Sequence, residues 1–568
     1  MSISQQDAEK LKERSIEVAG RRIFIGGPKP ELRERAILVR NTLSVCPECY
    51  RLLPALVYEK DGKIWIRKDC PEHGEVEDLY WGDAEMYRRA MTYEAPPVKV
   101  KYAYKKLENP CPFSCGICSI HTTQTALANV VVTNRCNLSC WYCFFFAEKS
   151  GYVYEPTLEQ YRMMMKHLRK QYPYGAKAIQ LTGGEPLVRN DIVDIVRITR
   201  EEGFNHIQLN THGIFFALDG GEELARKLRR AGVNTVYLSF DGLDPKINVK
   251  NHWEIPYIFE NFRRGGMTSV VLVPTVINGW NTGELGKIVR FAAVNADIVR
   301  GVNFQPVSLV GQMPRKERDK HRITIPDVIK LVEEQTDGEI GRDAWYPVPF
   351  TLVLTTFLEK LTKGKERWHM PIHPACGMAT YVYLDRSKDG IHFVPITSFV
   401  DVEGLSEYLR EKTVEMERGR SRYMVMLELV RRLNRFIDKD KQPKDLNLGK
   451  ILTNIILRRS YGALSIFHYK FNYLGMMHFM DPYNYDVERV MHCGVHYVTP
   501  EPNVVPFCTF NVLPELYRDN VQKKLSVSLE EWSRLRPGTV GDRVKYKRDV
   551  KKLSSGETYK KTYEGFLD

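Results

Sequence analysis

Asn134-Arg-Cys-Asn-Leu-Ser-Cys-Trp-Tyr-Cys143 follows a short apolar run, Ala128 to Thr133, that is typical of a buried β-strand. The spacing of its cysteines is Cys-x3-Cys-x2-Cys. Three thiolates on one loop can hold three irons of a 4Fe-4S cube and leave the fourth iron open to another ligand. The next cysteine comes only at position 376, so an open iron is the simpler interpretation. We expect a catalytic cluster on Cys136, Cys140 and Cys143.

Short apolar runs alternate with helical periodicity around this loop. The predicted strands are Ala128 to Thr133, Ala178 to Thr182, His206 to Asn210, Thr235 to Phe240, Ser269 to Val276 and Val302 to Pro306. Helices are predicted over Leu158 to Tyr172, Asp191 to Glu202 and Gly221 to Ala231. This alternation predicts an α/β fold of parallel βαβ units, either a partial barrel or a doubly wound sheet. Both place their sites at the carboxyl ends of the strands.

Polar residues stand at the ends of these predicted strands. Thr182-Gly-Gly-Glu-Pro186 ends the second one, where the glycines allow close backbone approach and Glu185 offers a carboxylate to an ammonium group. Asn210, Ser239 and Asp241 end later strands, and a turn or helix cap explains each of them equally well. Asn303 and Gln305 are weaker candidates. The candidate cofactor-binding residues are Tyr142, Gly183, Gly184, Glu185, Asn210, Ser239 and Asp241.

The cysteine loop, with Tyr142 before its last cysteine, and the Gly-Gly-Glu-Pro stretch together resemble the radical S-adenosylmethionine (SAM) superfamily. The resemblance implies a partial (βα)6 TIM-like barrel, a 4Fe-4S cluster and bound SAM. It also implies reductive cleavage of SAM, with an electron from an external donor, to methionine and a 5'-deoxyadenosyl radical that abstracts a substrate hydrogen atom. Such a radical requires a dry pocket and close positioning.

A small metal-binding module is predicted near the N-terminus. Cys46-Pro-Glu-Cys49 and Cys70-Pro-Glu-His73 flank a hairpin whose turn is Asp61-Gly62. Two cysteine arms about 20 residues apart suit a tetrahedral zinc or iron site. The expected ligands are Cys46, Cys49, Cys70 and His73, although a cysteine from elsewhere could replace the histidine.

Two further groups of three cysteines remain. Cys111, Cys115 and Cys118 repeat the x3, x2 spacing and indicate an auxiliary cluster, with His121 as a candidate fourth ligand and zinc as the alternative. Cys376, Cys493 and Cys508 are dispersed in the sequence. Buried structural cysteines explain this third group as well as metal ligation does.

A closer resemblance covers most of the chain. The cysteine groups resemble those of archaeal tetraether lipid synthases, as do five other stretches: Phe304 to Ser308, Arg322 to Pro326, Asp481 to Asp486, Cys493 to Tyr497 and Pro506 to Asn511. That family carries a mononuclear metal site, the radical SAM cluster and two auxiliary 4Fe-4S clusters. The resemblance implies a carbon-carbon bond-forming transferase of archaeal membrane lipid biosynthesis. It would join terminal methyl carbons of the isoprenoid chains of diether phospholipids, with peripheral membrane contact.

The predicted organisation is an N-terminal module over residues 1–97, an auxiliary-cluster segment over 98–126, the radical SAM barrel over 127–310 and a C-terminal α+β auxiliary-cluster and substrate region over 311–568. In the last region we predict a helix from Val414 to Ile437. Ile451 to Met480 is rich in methionine and aromatic residues, which suits core packing or an apolar channel.

Composition narrows the function only slightly. A net charge of +13 would attract nucleic acid, acidic small molecules or lipid headgroups alike, and no nucleic-acid motif is present, so we expect no nucleic-acid partner. The N-terminus lacks a secretory signal, which predicts a cytoplasmic protein, peripheral at the membrane at most. Two alternatives remain: a radical methylase or modifying enzyme for a pterin, peptide or RNA, and a multi-cluster electron-transfer protein. Complete four-cysteine sites would favour the latter, whereas each group here has only three cysteines.

Overall fold

Parallel strands form the centre of the protein in a computed structural model, which describes residues 14–98, 100–171, 175–362, 370–458, 467, 469–539 and 545–567. The strands are β1 Arg14–Val18, β2 Arg21–Ile25, β3 Ile37–Val45, β4 Leu52–Lys60, β5 Lys63–Cys70, β6 Gly74–Trp81, β7 Leu127–Thr133, β8 Tyr152–Tyr154, β9 Ala178–Gly183, β10 His206–Thr211, β11 Thr235–Ser239, β12 Val270–Val273, β13 Thr275–Val276, β14 Val299–Pro306, β15 Tyr346–Pro347, β16 Gly377–Ser387, β17 Gly390–Pro395, β18 Phe471–Met477, β19 Val495–Val498, β20 Val504–Pro506 and β21 Ser526–Ser528.

Helices cover the connections between these strands. They are α1 Ala84–Met91, α2 Ala147–Ser150, α3 Leu158–Arg169, α4 Ile192–Glu201, α5 Ile214–Ala217, α6 Gly221–Ala231, α7 Ile255–Gly265, α8 Leu285–Val294, α9 Arg318–His321, α10 Ile325–Gln335, α11 Thr351–Leu361, α12 Val402–Glu417, α13 Arg422–Arg432, α14 Leu448–Arg458, α15 Val487–Met491, α16 Phe507–Val512, α17 Arg518–Lys523, α18 Leu529–Leu535, α19 Val550–Ser555 and α20 Glu557–Tyr563.

The order of the central strands decides between the two predicted α/β architectures. β7, β9, β10, β11, β12 and β14 are neighbours in that order, and every pair is parallel. A doubly wound sheet would reverse its strand order at a switch point, and this sheet does not. The predicted α/β fold, a partial (βα)6 TIM-like barrel with an N-terminal metal-binding module, is therefore confirmed.

Most predicted elements lie within a few residues of the observed ones. The predicted strand Ser269 to Val276 is two short strands, β12 and β13, separated at Pro274, which cannot donate a ladder hydrogen bond. The predicted helix Leu158 to Tyr172 ends at Arg169, and Tyr172 itself lies outside the described residues.

The single helix predicted over Val414 to Ile437 is wrong. Its first part belongs to α12, which ends at Glu417, and α13 starts only at Arg422. Gly419 between them has a φ of 96°, a left-handed conformation that stops an α-helix. Apolar periodicity continued across this break and concealed it.

The C-terminal part of the chain extends the barrel sheet at both edges. β18 pairs in parallel with β14, and β19 pairs in parallel with β7, so eight neighbouring strands are parallel. Because β18 and β19 follow each other in sequence, residues 478–494 cross from one edge of the barrel to the other. We name residues 478–494 the crossing segment. Ile451 to Met480 contributes to α14 and β18, and residues 459–466 and 468 within it lie outside the described ones.

The N-terminal module is a separate six-stranded sheet, β1 to β6, in which β4 and β5 form the predicted hairpin. Buried charges attach it to the crossing segment. The Lys68 ammonium donates to the carbonyl oxygens of Pro482 at 2.8 Å and Tyr483 at 2.9 Å, and Arg40 forms an ion pair with Asp486. Buried ions need such partners because desolvation is costly. The module is thereby held against the catalytic barrel.

Among the helices in the described ranges, we find none that combines the length and the apolarity required to cross a lipid bilayer.

Candidate active site

A cavity of about 900 Å³ opens inside the barrel, and the three cysteines of the loop after β7 line it. Desolvation raises the pKa of each of these thiols, that of Cys143 to about 11. Thiolates are soft ligands, and burial makes these three costly to form unless a positive charge lies nearby. The metal ions of an iron-sulfur cluster supply that positive charge and so compensate the thiolates. Cys136, Cys140 and Cys143 therefore fit the predicted cluster.

Gly183 and Gly184 fix the position of the cluster loop. The Gly184 amide donates to the Thr133 carbonyl at 2.9 Å, and the Glu185 amide donates to the Arg135 carbonyl at 2.8 Å. A Cβ atom on either glycine would clash with these same two carbonyl groups, and Gly183 has a φ of +144°. Only glycine permits this approach of two backbones.

Glu185 connects the carboxyl ends of two strands. Its side chain is 1% exposed and accepts hydrogen bonds from Thr211 Oγ1 at 2.7 Å, the His212 amide at 3.0 Å and the Leu187 amide at 3.1 Å. His212 Nε2 in turn lies 2.7 Å from Asn137 Oδ1 on the cluster loop. Although Glu185 lines the cavity, much of its accepting capacity is used in holding this wall together.

Glu185→Gln is expected to lower the rate of 5'-deoxyadenosine formation by about 10- to 100-fold, the usual cost of disturbing groups that orient a metal site. In either orientation, the amide nitrogen of glutamine would face backbone or hydroxyl donors. Single-turnover assays with quantified iron content measure the effect. Glu201→Gln, an exposed change on α4, is the control. Wild-type rates in Glu185→Gln would contradict this role.

Asp241 does not line the cavity, in contrast to Tyr142 and Lys250. Its buried carboxylate accepts from the Tyr142 hydroxyl and the Thr275 amide, the latter at 2.9 Å, and lies 3.3 Å from Lys250 Nζ. Burial opposes the charge of Lys250, but Asp241 and the nearby thiols raise the pKa of this lysine. Lys250 is a cation at the cavity wall, suited to an anionic ligand group.

Sequence reasoning missed Lys250, because it lies in a loop outside any motif. Reasoning from strand ends alone also missed Asn129, Gln180 and Gln208, which line the barrel interior together with the predicted Asn210 and Ser239. Their positions follow the two-residue period of inward-facing strand residues, which is the signal that could have found them. Asn303 and Gln305 line the cavity too. We name Asn129, Gln180, Gln208, Asn210 and Asn303 the amide belt.

Much of the cavity lining is apolar. It includes Val353, Leu354, Leu405, Leu409, Leu448, Leu452 and Phe479. Apolar walls exclude water, which protects a reactive intermediate from side reactions.

The first cysteine group forms a compact ligand set. Single ligand atoms of Cys46, Cys49, Cys70 and His73 all lie within 4.8 Å of one another. His73 Nδ1 is 3.5 Å from Cys70 Sγ and 3.6 Å from Cys46 Sγ. Three sulfurs and one nitrogen in this arrangement suit tetrahedral zinc. The structure thus brings the four predicted ligands together.

The second group lies outside the main cavity. Cys111, Cys115 and Cys118 line a separate small cavity of about 10 Å³ together with His121. His121 Nε2 lies 2.9 Å from the Cys493 carbonyl oxygen, so this nitrogen is already engaged. A cluster in this group with His121 as ligand stays a prediction.

The third group converges in space despite its dispersion in sequence. Burial raises the pKa of the Cys493 thiol, and the nearby thiols of Cys508 and Cys376 raise it further. Arg489 Nε donates to Cys376 Sγ at 3.1 Å, and the Met480 amide donates to Cys508 Sγ at 3.3 Å. Sulfur atoms that accept N–H groups are typical of cluster ligands, and ligation here also stays a prediction.

Comparisons with known proteins agree with this fold and site. Residues 130–292 match the family profile "Radical SAM superfamily", and residues 38–82 match "HMPTM N-terminal zinc ribbon domain". The protein is a radical SAM enzyme with an N-terminal zinc ribbon. The predicted cofactors, a 4Fe-4S cluster with SAM and a further metal site, are confirmed.

The chain is 46% identical over 516 residues to the 7,8-dihydro-6-hydroxymethylpterin dimethyltransferase of Methanocaldococcus jannaschii, a match that covers 89% of this chain and 100% of that protein. It belongs to the same family as that protein. A GTP 3',8-cyclase of Peptoclostridium acidaminophilum is 32% identical over 242 residues, covering 41% of this chain and 72% of that protein. The structure of Streptococcus suis SuiB is 16% identical, with a TM-score of 0.31, and covers 38% of this chain and 46% of that one.

These findings correct the predicted function. The relative matched along its whole length is a pterin dimethyltransferase by name, so membership of the tetraether lipid synthases and a diether phospholipid substrate are wrong predictions. The accompanying peripheral membrane contact has no support. The misleading motifs lie largely at the cysteine groups and the crossing segment, and such residues define metal sites without specifying a substrate.

Cys70→Ser is expected to reduce the zinc content per chain to near zero, because a four-coordinate structural site loses a thiolate that it requires. Elemental analysis of zinc and iron in the same sample measures the effect. Iron content is the internal control, since the ribbon shares no ligand with the barrel loop. Retained zinc, or a parallel loss of iron, would contradict a separate zinc site.

Proposed function

We propose that this protein is a radical SAM methylase that acts on a reduced hydroxymethylpterin. The observation that carries the proposal is the amide belt inside the barrel. Each amide side chain offers both a donor and an acceptor. The edge of a pterin ring alternates donors and acceptors, so a belt of amides is complementary to it. The family relationship favours the same substrate class.

Gln208 is the member of the belt with the clearest need for a ligand. Its Oε1 atom is buried and has no hydrogen-bond partner among the described residues, while its Nε2 lies 3.1 Å from His206 Nε2. A buried acceptor without a partner costs about 1–3 kcal/mol. A turn of the side-chain amide would direct this oxygen into the cavity, where a ring N–H or exocyclic amine would remove that cost. This atom therefore supports binding of a nitrogen-rich heterocycle.

The remaining parts of the cavity have complementary tasks. When bound at the cysteine loop, the cluster and SAM supply a radical that abstracts a hydrogen atom from the substrate. Lys250 is placed to bind an anionic group such as the SAM carboxylate, and the apolar residues of the lining exclude water. A volume of about 900 Å³ lies near the upper end for small-molecule sites, which suits two ligands side by side.

The test is an anaerobic reaction of the reconstituted, reduced protein with methyl-labelled SAM and 7,8-dihydro-6-hydroxymethylpterin, followed by mass spectrometry. We expect 5'-deoxyadenosine together with a methylated pterin, and the label shows whether the methyl carbon comes from SAM. Formation of 5'-deoxyadenosine without methylated pterin would retain the radical SAM class and reject the pterin substrate.

Gln208→Met separates substrate recognition from SAM cleavage. The methionine has a similar size but cannot hydrogen-bond to a heterocycle edge. We expect weaker pterin binding, by about 10-fold for one lost hydrogen bond. Iron content and SAM binding should stay at wild-type levels and are the internal controls. Equal pterin affinity in both proteins would remove the support that Gln208 gives.

A further inference from the structure

A C-terminal segment, residues 545–548, lies across the cluster loop. Lys545 Nζ donates to the carbonyl oxygens of Cys136 at 3.1 Å and Leu138 at 3.2 Å, and to Glu148 Oε1 at 2.8 Å. The Tyr546 amide donates to the Asn137 carbonyl at 2.9 Å. Three consecutive residues of the cluster loop are therefore held by a segment some 400 positions later in the sequence.

The Lys545 ammonium is fully used in this arrangement. It has three N–H donors, and three acceptors surround it. Its nitrogen also lies 5.1 Å from the centroid of the Phe146 ring. A lysine whose donors all have specific partners keeps little freedom of placement, which distinguishes it from an unpaired surface charge.

The same segment also holds the loop that carries Lys250. Arg548 Nη2 donates to the Lys250 carbonyl at 2.7 Å, and Arg548 Nε forms an ion pair with the buried Glu254 at 2.6 Å. Further along, the Tyr563 hydroxyl donates to the His252 carbonyl at 2.7 Å. Both the cluster loop and the Lys250 loop are thus fixed from one side by the C-terminal chain.

The charge of Lys545 reaches the cluster ligands. Its ammonium lies within hydrogen-bond distance of the carbonyl oxygens of Cys136 and Leu138, so a positive charge is held at the backbone that carries the first cluster ligand. A reduced cluster carries one more negative charge than an oxidised one, so a nearby cation stabilises the reduced form. Glu148 Oε2 is buried with no hydrogen-bond partner in the described chain, so loss of Lys545 would leave a carboxylate uncompensated beside the loop.

We propose that Lys545 is a positioning residue of the radical SAM cluster, whose ammonium fixes the backbone of residues 136–138 and holds the reduction potential of the cluster up by balancing Glu148. The proposal concerns the cluster alone and does not depend on the identity of the substrate.

The test is a redox titration of the reconstituted full-length protein, followed by electron paramagnetic resonance. Lys545→Gln is expected to shift the potential of the radical SAM cluster to more negative values. Lys545→Arg, which keeps the charge, should restore most of the wild-type value, and Lys547→Gln, a change at an exposed neighbour, should leave it unchanged. The double variant Glu148→Gln with Lys545→Gln should return toward wild type.

The direction of the shift separates charge from structure. If Lys545→Gln merely loosened the segment and admitted water, solvation would stabilise the reduced cluster and the potential would rise. A raised potential, or one equal to that of Lys547→Gln, would overturn the proposal. Hydrogen exchange at residues 136–138 is the second measurement, and we expect faster exchange in Lys545→Gln but not in Lys547→Gln.

Discussion

Cys136→Ala is expected to abolish 5'-deoxyadenosine formation, lowering the rate by a factor on the order of 10³ or more, as for other members of a unit that acts together. The cube would lose one of three anchors on the loop, and the open iron could no longer hold SAM in place. Product analysis by liquid chromatography and iron counts per chain measure the effect.

Cys111→Ala is the matched control, because its group has the same spacing of cysteines. The structure distinguishes the two groups by position: Cys136 lines the large cavity, and Cys111 lines the small one. In Cys111→Ala, SAM should still perturb the spectrum of the reduced cluster. If SAM binding followed Cys111 and survived in Cys136→Ala, the active site would be assigned to the wrong group.

Arg322→Met is expected to destabilise the contact between the zinc ribbon and the barrel by about 3–5 kcal/mol, the usual cost of breaking a buried ion pair from one side. Arg322 Nη2 lies 2.6 Å from Asp78 of the ribbon, and Nη1 lies 2.6 Å from Asp481 of the crossing segment. All three side chains are at most 4% exposed. The substitution would remove the nearest cation from both carboxylates and leave Asp78 paired with the more distant Arg318.

Native-state hydrogen exchange of β5 and β6 measures this effect as a free energy of local opening. Arg318→Met is the control, since Arg318 lies 3.6 Å from Asp78 and is 24% exposed. A solvated pair of this kind contributes about 1 kcal/mol or less. Equal effects of the two substitutions would show that burial of the Arg322 network does not determine its strength.

The barrel could be predicted because each of its strands and helices has a recognisable pattern within its own short stretch of sequence. Each parallel strand is buried on both sides and reads as a short apolar run, such as Val130 to Val132, between amphipathic helices. The candidate ligands of the cluster loop lie within eight residues, so spacing alone was sufficient to propose them. The strand pairings of the C-terminal region could not be predicted, since partners such as β14 and β18 are distant in sequence and no periodicity links them.

The side-chain roles at the site were harder to predict than its location. Asp241 stands at a strand end, as expected of a cofactor ligand, but it is turned toward Tyr142 and Lys250 and away from the cavity. Side-chain direction depends on neighbours in three dimensions, which a motif does not contain. Lys250 became recognisable only through the contacts that surround it.

The substrate was the least predictable property. Cysteine spacing describes how metals are held, and enzymes with different substrates can share it. The residues that we propose for substrate recognition, such as Gln180 and Gln208, lie inside strands where a polar side chain looks like an ordinary interruption of an apolar run. Their inward direction is evident only once the barrel is assembled.

The dispersion of the third cysteine group has a consequence for how the protein matures. The candidate ligand sets at positions 46–73, 111–118 and 136–143 are each local in sequence, so their residues can come together while the chain is still being synthesised. Cys376 and Cys493 cannot meet Cys508 until residue 508 has left the ribosome, and closing the long loop from Cys376 carries an entropic cost. Any metal that this third group binds can therefore be held by all three cysteines only after residue 508 has been synthesised.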